Sequence, residues 1–493
     1  MAMSDNHPDA IKKRNAPPRL LEWRRGRVEI LPQKSVEDTD KDFTVFYVKR
    51  CRSGGTYGLL WRLGRTQFSC PSRVLKDQWI TNLRTSVKTH SPRRPHRLLV
   101  FINPFGGKKK GRKIYHSLVA PLFELAGISS HLTERANQAR DHLLKKDLIG
   151  FDGVVCVGGD GMFSEILHGL IGRAQQEAGI CENDPSVTLQ PSSLHIGIIP
   201  AGSTDCVCYA TVGVIDPVTS ALHIVVGDSQ PLDVCAVHQA SAPLRYSVSL
   251  LGYGFYGDVL AESEKHRWMG PLRYDFSGTM VYLCNRSYAG IVQYIPADPV
   301  LSSPRDRTRC LSGSPLGLSP SAHLADGTGD LILVWDTNPL GFLKYLYRHT
   351  SAQDQFDLPF VEVHRVKAVR FSVPSSKEEE DYEETGEPSS AISEAETGYV
   401  ESASRSGSQM HLTEKRSGRE MTDKQKTPDS FLCGLCCSKS SAVSVWNCDG
   451  EILPITEVFC RIHGQLLHLY ARGIEDQALH GCSVENEATS YIN

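Results

Sequence analysis

The chain has 493 residues, of which 40% are hydrophobic and 22% are charged, a composition typical of a globular protein with one large core or two to three smaller ones. Its net charge of -2 gives no overall attraction to polyanions, so we predict no nucleic-acid partner. No apolar run approaches the roughly 18 residues that a membrane-spanning helix needs.

The first residues of the chain and its cysteines indicate the cellular compartment in which the protein is expected. The first residues, MAMSDNHPDAIKKRN, contain neither an apolar segment nor a glycine at position 2, so we expect no secretory signal and no N-myristoylation. The 15 cysteines are irregularly spaced, which suits free thiols in a reducing compartment. Cys433, Cys436, Cys437 and Cys448 lack the paired C-x2-C spacing of a zinc site, so no metal ligands are predicted. The expected location is cytoplasmic.

Residues 1–19 are predicted to be disordered, and residues 20–90 to form a small β-domain. Its strands are expected at 20–30, 43–48 and 57–68, and Leu75, Trp79 and Leu83 have the spacing of a helix that packs one face on them. Strands closed by such a helix resemble a pleckstrin-homology (PH) domain, and an unspecified small β-domain is the alternative. The basic residues that could contact a phosphoinositide, or could simply be solvated, are Arg24, Arg25, Lys49, Arg50 and Arg52.

Residues 97–230 follow a basic, proline-rich hinge at 88–97, and their sequence pattern predicts strands that alternate with helices. Strands are predicted at 98–102, 154–157 and 196–199 and near Thr133, with helices at 112–125 and 138–146. Strands that alternate with helices in this way indicate a mostly parallel sheet covered on both faces. Ligands of such sheets bind at the carboxyl ends of the strands.

Strands dominate again from residue 231. They are predicted at 232–237, 244–251, 291–295, 329–335 and 360–372, with helices at 258–269, 275–288 and 338–349. Residues 373–430 are acidic and poor in apolar residues, so we expect a disordered linker. Alternating residues at 443–472 then indicate strands that return to a second, β-rich domain formed with 231–372. The predicted fold class is therefore α/β plus β.

Three of the predicted parallel strands end in turns suited to phosphate. The turns are NPFGGKKKGRK from Asn103, GGDG from Gly158 and PAGSTD from Pro200. Glycine-rich turns at helix starts present bare backbone N–H groups to anions, and three at one sheet edge predict a nucleotide-phosphate site. The first turn is not a P-loop, because Arg112 and Lys113 stand where Lys and Ser or Thr are required. The G-x-G-x-x-G at 252–257 lies outside the βαβ region, which argues against a dinucleotide fold.

Together, NPFGGKKKG, TERANQA, VGGDGMFSEIL, PAGSTD, LLGYGFYGD and SEKHRWMGPLRYDFSG resemble the diacylglycerol and sphingosine kinase superfamily, and the ceramide kinases most of all. The resemblance covers most of 97–372 and again 443–472. It implies an α/β domain that binds ATP with Mg²⁺, a β-sandwich domain that holds the lipid, and an N-terminal PH domain. The implied activity is phosphorylation of the primary hydroxyl of ceramide.

The resemblance also implies roles for individual residues. Asp160 is the implied general base, and a helix N-cap is its alternative role. The implied substrate-binding residues are Gly158, Gly159, Asp160 and Gly161. The implied ATP contacts are Asn103, Pro104, Phe105, Thr133, Glu134, Arg135, Ala136, Asn137, Glu165, Gly202, Ser203, Thr204, Arg267, Arg273, Asp449, Gly450 and Glu451. Alternatives are strand-end or capping roles for Thr133 and Glu134, solvated positions for the two arginines, and a plain hairpin turn at Asp-Gly-Glu.

Two positions bear on the substrate. Sphingosine kinases carry an acidic residue two places after the match to Asp258, where this chain has Leu260, and an uncharged residue there suits the amide of ceramide. Between Cys310 and Gly313 the chain lacks several dozen residues of the ceramide kinases, including a sandwich strand, and we expect this loss to open the lipid-binding half. The alternatives are therefore a diacylglycerol or sphingoid-base kinase and a catalytically silent membrane-binding protein.

Residues 340–349, LGFLKYLYRH, are predicted to form a basic amphipathic helix. Such helices bind Ca²⁺/calmodulin or membrane surfaces, and ordinary packed helices share the pattern. Because the implied substrate is a lipid, we expect a cytoplasmic protein that associates peripherally with membranes, at the Golgi or the plasma membrane.

Overall fold

The computed structural model describes residues 12–13, 30–31, 41–53, 56–103, 109–133, 139–239, 244–270, 272–297, 323–348, 356–373 and 443–473. Within the segment 1–19, for which disorder stays a prediction, Lys12–Lys13 form a short strand. The rest of 1–19, and 374–430, lie outside the described residues. Of the strand predicted at 20–30, only Ile30 is described.

The N-terminal unit is a four-stranded antiparallel sheet with one helix. Its strands are β1 (Lys12–Lys13), β2 (Ile30–Leu31), β3 (Asp42–Ser53) and β4 (Thr56–Ser69), in the order β1-β4-β3-β2, and its helix is α1 (Arg73–His90). Ser72 caps α1 by accepting a hydrogen bond from the N–H of Leu75. As the spacing predicted, Trp79 and Leu83 pack on a small core that contains Phe43 and Phe68.

The next unit is built on four parallel strands. They are β5 (Arg97–Ile102), β6 (Ser129–Thr133), β7 (Gly153–Gly158) and β8 (His195–Pro200), in the order β8-β7-β5-β6. The intervening helices are α2 (Gly111–Ile114), which continues through a π-turn (Tyr115–Val119) into α3 (Ala120–Leu125), then α4 (Ala139–Lys145) and α5 (Asp160–Ala178). All of β7 is buried, and separate clusters of apolar side chains cover the two faces of the sheet. The predicted parallel architecture is confirmed.

The sheet continues beyond the parallel strands. After α6 (Cys206–Val212) and α7 (Pro217–Val226), strand β9 (Ser229–His238) pairs with the long final strand β17 (Val458–Tyr470), and Leu469 of β17 pairs in parallel with Ile196 of β8. A single ten-stranded sheet therefore runs across the boundary that the sequence places near residue 230. The division into separate nucleotide and lipid domains stays a prediction.

The remaining elements form the second half of the molecule. They are β10 (Arg245–Ser247), β11 (Leu251–Tyr253), α8 (Phe255–Lys265), a 3₁₀ turn (Arg267–Met269), α9 (Leu272–Cys284), β12 (Ile291–Pro296), β13 (Gly329–Val334), α10 (Pro339–Arg348), β14 (Val361–Ser372), β15 (Trp446–Cys448) and β16 (Glu451–Leu453). The sheet β11-β15-β16 packs against the large sheet through a cluster that includes Phe371, Trp446 and Val458. No residue of β13 is buried. Residues 310–313 lie outside the described residues.

The N-terminal unit is joined to the α/β unit through β4 and α7. The ring of Trp61 stacks on His223 at 3.8 Å, and its backbone N–H donates to Thr219 Oγ1 at 3.0 Å. Next to it, Arg62 makes a two-pronged ion pair with Asp216, at 2.7 and 3.1 Å. Arg50, a predicted phosphoinositide contact, lies 5.3 Å from the centre of the Trp61 ring.

In the part of the chain that the structure describes, no single helix is long and apolar enough to cross a membrane. Among the described helices, α6 and α7 are the one pair that together reach the required length and hydropathy, and they are bent by 56° at their junction.

Candidate active site

The three predicted phosphate turns lie side by side. Strand register places Gly158 opposite Pro200 and Ile102 opposite Val157, so the three strands end at one edge. The N–H of Asn103 donates to Val157 O and that of Ala201 to Gly158 O, both at 3.1 Å. These bonds extend the ladder one residue into the turns. The carboxyl ends of β5, β7 and β8 thus form the shared edge that the sequence predicted.

Two glycine positions at this edge leave no room for a side chain. A Cβ added to Gly202 would lie 2.5 Å from Gly159 Cα and 2.7 Å from Asp205 Oδ1. A Cβ on Gly159 would lie 2.9 Å from Gly202 Cα, whereas one on Gly161 would meet nothing within 4 Å. The two turns therefore touch through their main chains, and Gly161 faces open space. Such a surface allows a phosphate to approach backbone N–H groups closely.

Asp160 stands at the start of α5 but caps a different helix. The N-cap position of α5 is Gly159, and the Asp160 carboxylate accepts hydrogen bonds at 3.1 Å from the N–H groups of Cys206 and Val207, at the start of α6. The alternative in which Asp160 is the N-cap of the helix that follows it is therefore wrong, because Gly159 holds that position and the Asp160 carboxylate binds N–H groups of α6 instead. Each carboxylate oxygen keeps a further lone pair, so capping leaves Asp160 able to accept a proton from a substrate.

Asp205 is a residue of this edge that the sequence reasoning missed. It is buried, takes the left-handed conformation (φ 55°, ψ 44°) at the start of α6, and accepts a hydrogen bond from Gly202 N at 2.9 Å. Asp205 thereby fixes the glycine turn on which the close approach to Gly159 depends. Its position as the last residue of PAGSTD was the signal that could have identified it.

Several other predicted ATP contacts lie at or near the edge. Thr133 ends β6 opposite Phe101, and Ser203 and Thr204 are exposed in the turn after β8. Glu165, one turn into α5, has a buried Oε2 without a hydrogen-bond partner among the described residues, and burial raises the pKa of its carboxyl. The predicted contacts that lie outside the described residues are Pro104, Phe105, Glu134, Arg135, Ala136 and Asn137.

The Asp-Gly-Glu segment forms a hairpin turn between β15 and β16. Asp449 and Gly450 have φ values of 49° and 90°, which fits the Asp-Gly alternative drawn from the sequence. The Asp449 carboxylate accepts hydrogen bonds from the N–H groups of 248–250 and from Ser247 Oγ, at 2.8–3.1 Å. Burial nevertheless raises the pKa of Asp449. Its carboxylate therefore holds the 247–250 turn in place.

Glu451 connects this hairpin to the nucleotide edge. Glu451 pairs with Arg245 at 3.5 Å. Burial of Glu165 is the main cause of the raised pKa of that residue, and the negative charge of Glu451 raises it further. The charges of two of the predicted ATP contacts, Glu165 and Glu451, thus interact although the residues are far apart in the chain. No local pattern in the sequence singles out Arg245 as a partner of this hairpin.

The two predicted phosphate-side arginines are both engaged with Glu264. Arg267 is exposed and ion-paired with it, and Arg273 Nη1 lies 3.4 Å from Glu264 Oε1. Arg273 also donates to the hydroxyl of Tyr274 at 2.7 Å. To reach a nucleotide phosphate, these side chains would have to exchange Glu264 for the phosphate.

The residues at the edge fit a nucleotide and its metal. The bare backbone of Gly159 and Gly202 suits phosphates, and the unpartnered Glu165 Oε2 can accept a hydrogen bond from a hydroxyl group. Among the described residues, no group of three His, Cys, Asp or Glu side chains could hold a metal alone. Mg²⁺ commonly binds one or two carboxylates together with substrate phosphates, so Asp160 and Asp205 fit an Mg²⁺ ion that arrives with the nucleotide.

Three families match this chain. The diacylglycerol kinase catalytic domain matches residues 97–237, the ceramide kinase C-terminal domain matches 307–486, and the ceramide kinase PH domain matches 24–83. The last match lies within the predicted 20–90 unit and confirms the PH domain.

Individual proteins are similar over most of the chain. Ceramide kinase of Homo sapiens is 43% identical over 489 residues, covering 88% of this chain and 83% of that protein. Ceramide kinase of Mus musculus is 41% identical over 490 residues, covering 88% and 84%. A solved structure described as a putative diacylglycerol kinase from Bacillus anthracis str. Sterne is 13% identical, covers 76% of this chain and 97% of that one, and has a TM-score of 0.45.

Proposed function

The chain belongs to the ceramide kinase family, and we propose that it transfers the γ-phosphoryl group of ATP to the primary hydroxyl of ceramide, giving ceramide 1-phosphate. The observation that carries this proposal is the contact between the Gly159 and Gly202 turns beside the Asp160 carboxylate. Phosphate-binding backbone and a carboxylate thus adjoin at the carboxyl ends of parallel strands.

Asp160 acts on the lipid hydroxyl in this proposal. Its carboxylate accepts the proton as the hydroxyl oxygen attacks the γ-phosphorus and the bond to the β-phosphate oxygen breaks, with ADP leaving. The N–H groups of Cys206 and Val207 hold the carboxylate in one orientation, which reduces the entropy cost of alignment. Positioned base catalysis contributes about 10²–10⁴ in rate.

Nucleotide binding is assigned to the three turns and their neighbours. The backbone of Gly158, Gly159, Gly161 and Gly202 would receive the phosphates, and Thr133, Ser203 and Thr204 could donate hydroxyl hydrogen bonds. Asn103 lies at the same edge, and Glu165 and Glu451 would meet hydroxyl or amino groups of the nucleoside. Mg²⁺, held by Asp160 or Asp205 with the phosphates, would neutralise charge on the transferred group.

Ceramide is favoured over a sphingoid base by Leu260. The side chain of Leu260 is buried on α8, and a carboxylate at that position would suit a cationic amine rather than an amide. The test is to incubate the protein with radiolabelled ATP and, separately, ceramide, diacylglycerol and sphingosine. Ceramide 1-phosphate should be the main product, and a main product of sphingosine 1-phosphate would refute the assignment.

A catalytically silent membrane-binding protein is the second candidate. It is favoured by β13, in which none of the four apolar residues at 331–334 is fully buried. The lipid assay discriminates here as well, when it is combined with ATP binding measured by calorimetry. ATP binding without turnover on any of the three lipids would favour the silent protein.

The PH domain indicates peripheral membrane binding, and the Golgi or the plasma membrane is the proposed destination. Phosphoinositide binding would use Lys49, which is exposed, more readily than Arg50, which lies against Trp61. Calmodulin binding is assigned to α10. Because Tyr345 of this helix is buried, calmodulin could enclose α10 only after the helix had left its packed position. A gel-shift assay of the whole protein with Ca²⁺/calmodulin tests this assignment.

A further inference from the structure

Helix α9 exposes an apolar stripe. Leu272, Phe276 and Leu283 are spaced four and seven residues apart, which places them on one side of the helix. Leu272 is 66% exposed and Leu283 is 69% exposed. The opposite side is covered, since Ser277 is buried. Isolated exposed leucines are common on protein surfaces, but a stripe along a helix points to a contact surface.

Helix α10 exposes a second stripe. Leu340, Leu343 and Tyr347 are spaced three and four residues apart, with Leu340 77% and Tyr347 75% exposed. The helix packs on the protein through its other side, where Phe342 contacts Phe255 edge to face. The amphipathic pattern of the sequence therefore divides into a packed side and an outer apolar side.

The two stripes adjoin where the helices meet. The hydroxyl of Tyr282 on α9 donates to Pro339 O at 3.1 Å, and its ring stacks on Phe342 of α10. Leu283 and Leu340 directly follow these two contact residues, Tyr282 and Pro339, in the chain. We call the combined surface the α9–α10 face; it consists of Leu272, Phe276, Leu283, Leu340, Leu343 and Tyr347.

The border of this face has the chemistry of a membrane interface. Trp268, just before α9, is 82% exposed, and exposed tryptophan and tyrosine are favoured at the level of lipid headgroups. Lys265 and Arg267, close to Trp268 in the chain, are exposed, and the carboxylates with which they pair, Glu262 and Glu264, are half-buried. Lys344 is exposed on α10. These cations complement the negative charge of anionic headgroups.

We propose that the α9–α10 face docks on an anionic lipid bilayer, with its apolar side chains inserted and Trp268 at headgroup level. The proposal rests on the proposed function, because a bilayer is where ceramide is found. The face belongs to the kinase half of the molecule, so docking would hold that half on the membrane independently of the PH domain. Calmodulin fits less well, because it would have to displace the packed side of α10.

The test compares Leu283→Ser/Leu340→Ser with wild type in sedimentation with phosphatidylcholine vesicles that contain phosphatidylserine. We expect the double variant to bind at least about tenfold more weakly, because both leucines would insert into the bilayer. Ile149→Ser is the matched control: Ile149 is 83% exposed but lies on a loop of the α/β unit, so its variant should bind as wild type does. Equal binding by the double variant and wild type would overturn the proposal.

A second measurement tests whether Trp268 enters the membrane. Brominated phosphatidylcholine should quench part of the tryptophan fluorescence of wild type on vesicles, and Trp268→Phe should remove that quenched component. Quenching that is unchanged in Trp268→Phe would contradict insertion of this face. A change in oligomeric state or calmodulin binding in the double variant, with vesicle binding intact, would show that the face binds protein and would also overturn the proposal.

Kinase assays separate this proposal from the proposed function. In detergent micelles that contain ceramide, the double variant should keep the wild-type rate, because micelles deliver the lipid without docking. On vesicles its rate should fall by about tenfold with its binding. Inactivity of wild type in both systems would count against the proposed function, while the vesicle-binding comparison would still decide the docking proposal.

Discussion

The carboxylate of Asp160 accepts a hydrogen bond at 3.1 Å from the backbone N–H of Val207, although the two residues are 47 positions apart. This bond, with its neighbour from Cys206, ties the GGDG turn to the first turn of α6. One carboxylate therefore has two tasks, since it holds two turns of the phosphate edge together and faces the reacting group. Substitutions of Asp160 should affect both folding and turnover.

Asp160→Asn should lower kcat by about 10²–10⁴, because an amide cannot take the hydroxyl proton. It should also lower the free energy of unfolding by about 1 kcal/mol, since the amide NH₂ would face one of the two backbone N–H donors. The measurements are ceramide phosphorylation under saturating ATP and urea unfolding.

Asp216→Asn is the matched control for the capping role. Asp216 caps α7 through the N–H of Thr219 at 2.8 Å and pairs with Arg62 of β4. Its variant should lose stability but keep kcat. Asp160→Asn with a wild-type kcat would exclude Asp160 as the base.

Gly202→Ala should disrupt the edge more than its small volume suggests. The new Cβ would lie 2.5 Å from Gly159 Cα, so the two turns must separate and carry the phosphate-binding N–H groups with them. Displacement of about 1 Å can cost on the order of 10² in rate, and we expect a loss of that size in kcat/KM for ATP.

Gly278→Ala is the control for adding a methyl group. A Cβ at Gly278 on α9 meets nothing within 4 Å, and alanine favours the helix by about 1 kcal/mol. Its activity should match that of wild type. If Gly202→Ala binds ATP as wild type does, the close contact of the turns is not needed for the nucleotide site.

Local patterns predicted much of this architecture because periodicity and glycine-rich turns are local signals. The continuous apolar runs at 98–102 and 154–157 identify buried parallel strands, and the turns that follow them identify the edge. The pairing of Leu469 with Ile196 could not be predicted in this way, because nothing in the alternation of β17 specifies which strand it joins. The contact between Asp160 and Val207 likewise depends on which turns the sheet order makes neighbours.

Asp449→Asn should change the stability of the protein, whereas Glu451→Gln should change its KM for ATP. The half-buried Asp449 carboxylate accepts four hydrogen bonds, so an amide there would turn NH₂ toward N–H donors and cost about 1–3 kcal/mol of stability. Glu451 is exposed, so Glu451→Gln should leave stability unchanged and raise the KM for ATP.

Thermal unfolding and ATP titration of the two Asp-Gly-Glu variants measure this difference. The result would separate the turn-holding role of Asp449 from the nucleotide contact assigned to Glu451. A raised KM in Asp449→Asn alone, without loss of stability, would reverse the assignment.

The contact between Trp61 and His223 should make stability depend on pH. Burial, reinforced by the positive charges of Arg472 and Arg50, lowers the pKa of His223 to about 3. Since the unfolded chain takes up this proton near pH 6.5, the unfolded state binds more protons between about pH 6.5 and 3, and stability falls as the pH drops through that range. The slope from this histidine approaches about 1.4 kcal/mol per pH unit.

His223→Phe should flatten this pH dependence while keeping the stacked ring against Trp61. The variant loses the hydrogen bond that His223 Nδ1 accepts from Arg472 N, so it should be less stable than wild type near neutral pH. Below about pH 6 the difference should shrink, because the variant has no proton to take up on unfolding at this position. Other buried histidines with lowered pKa values, such as His168 and His463, titrate equally in both proteins and cancel in the comparison. Thermal midpoints measured from neutral to mildly acidic pH that run parallel for the two proteins would show that His223 does not set the pH response of this contact.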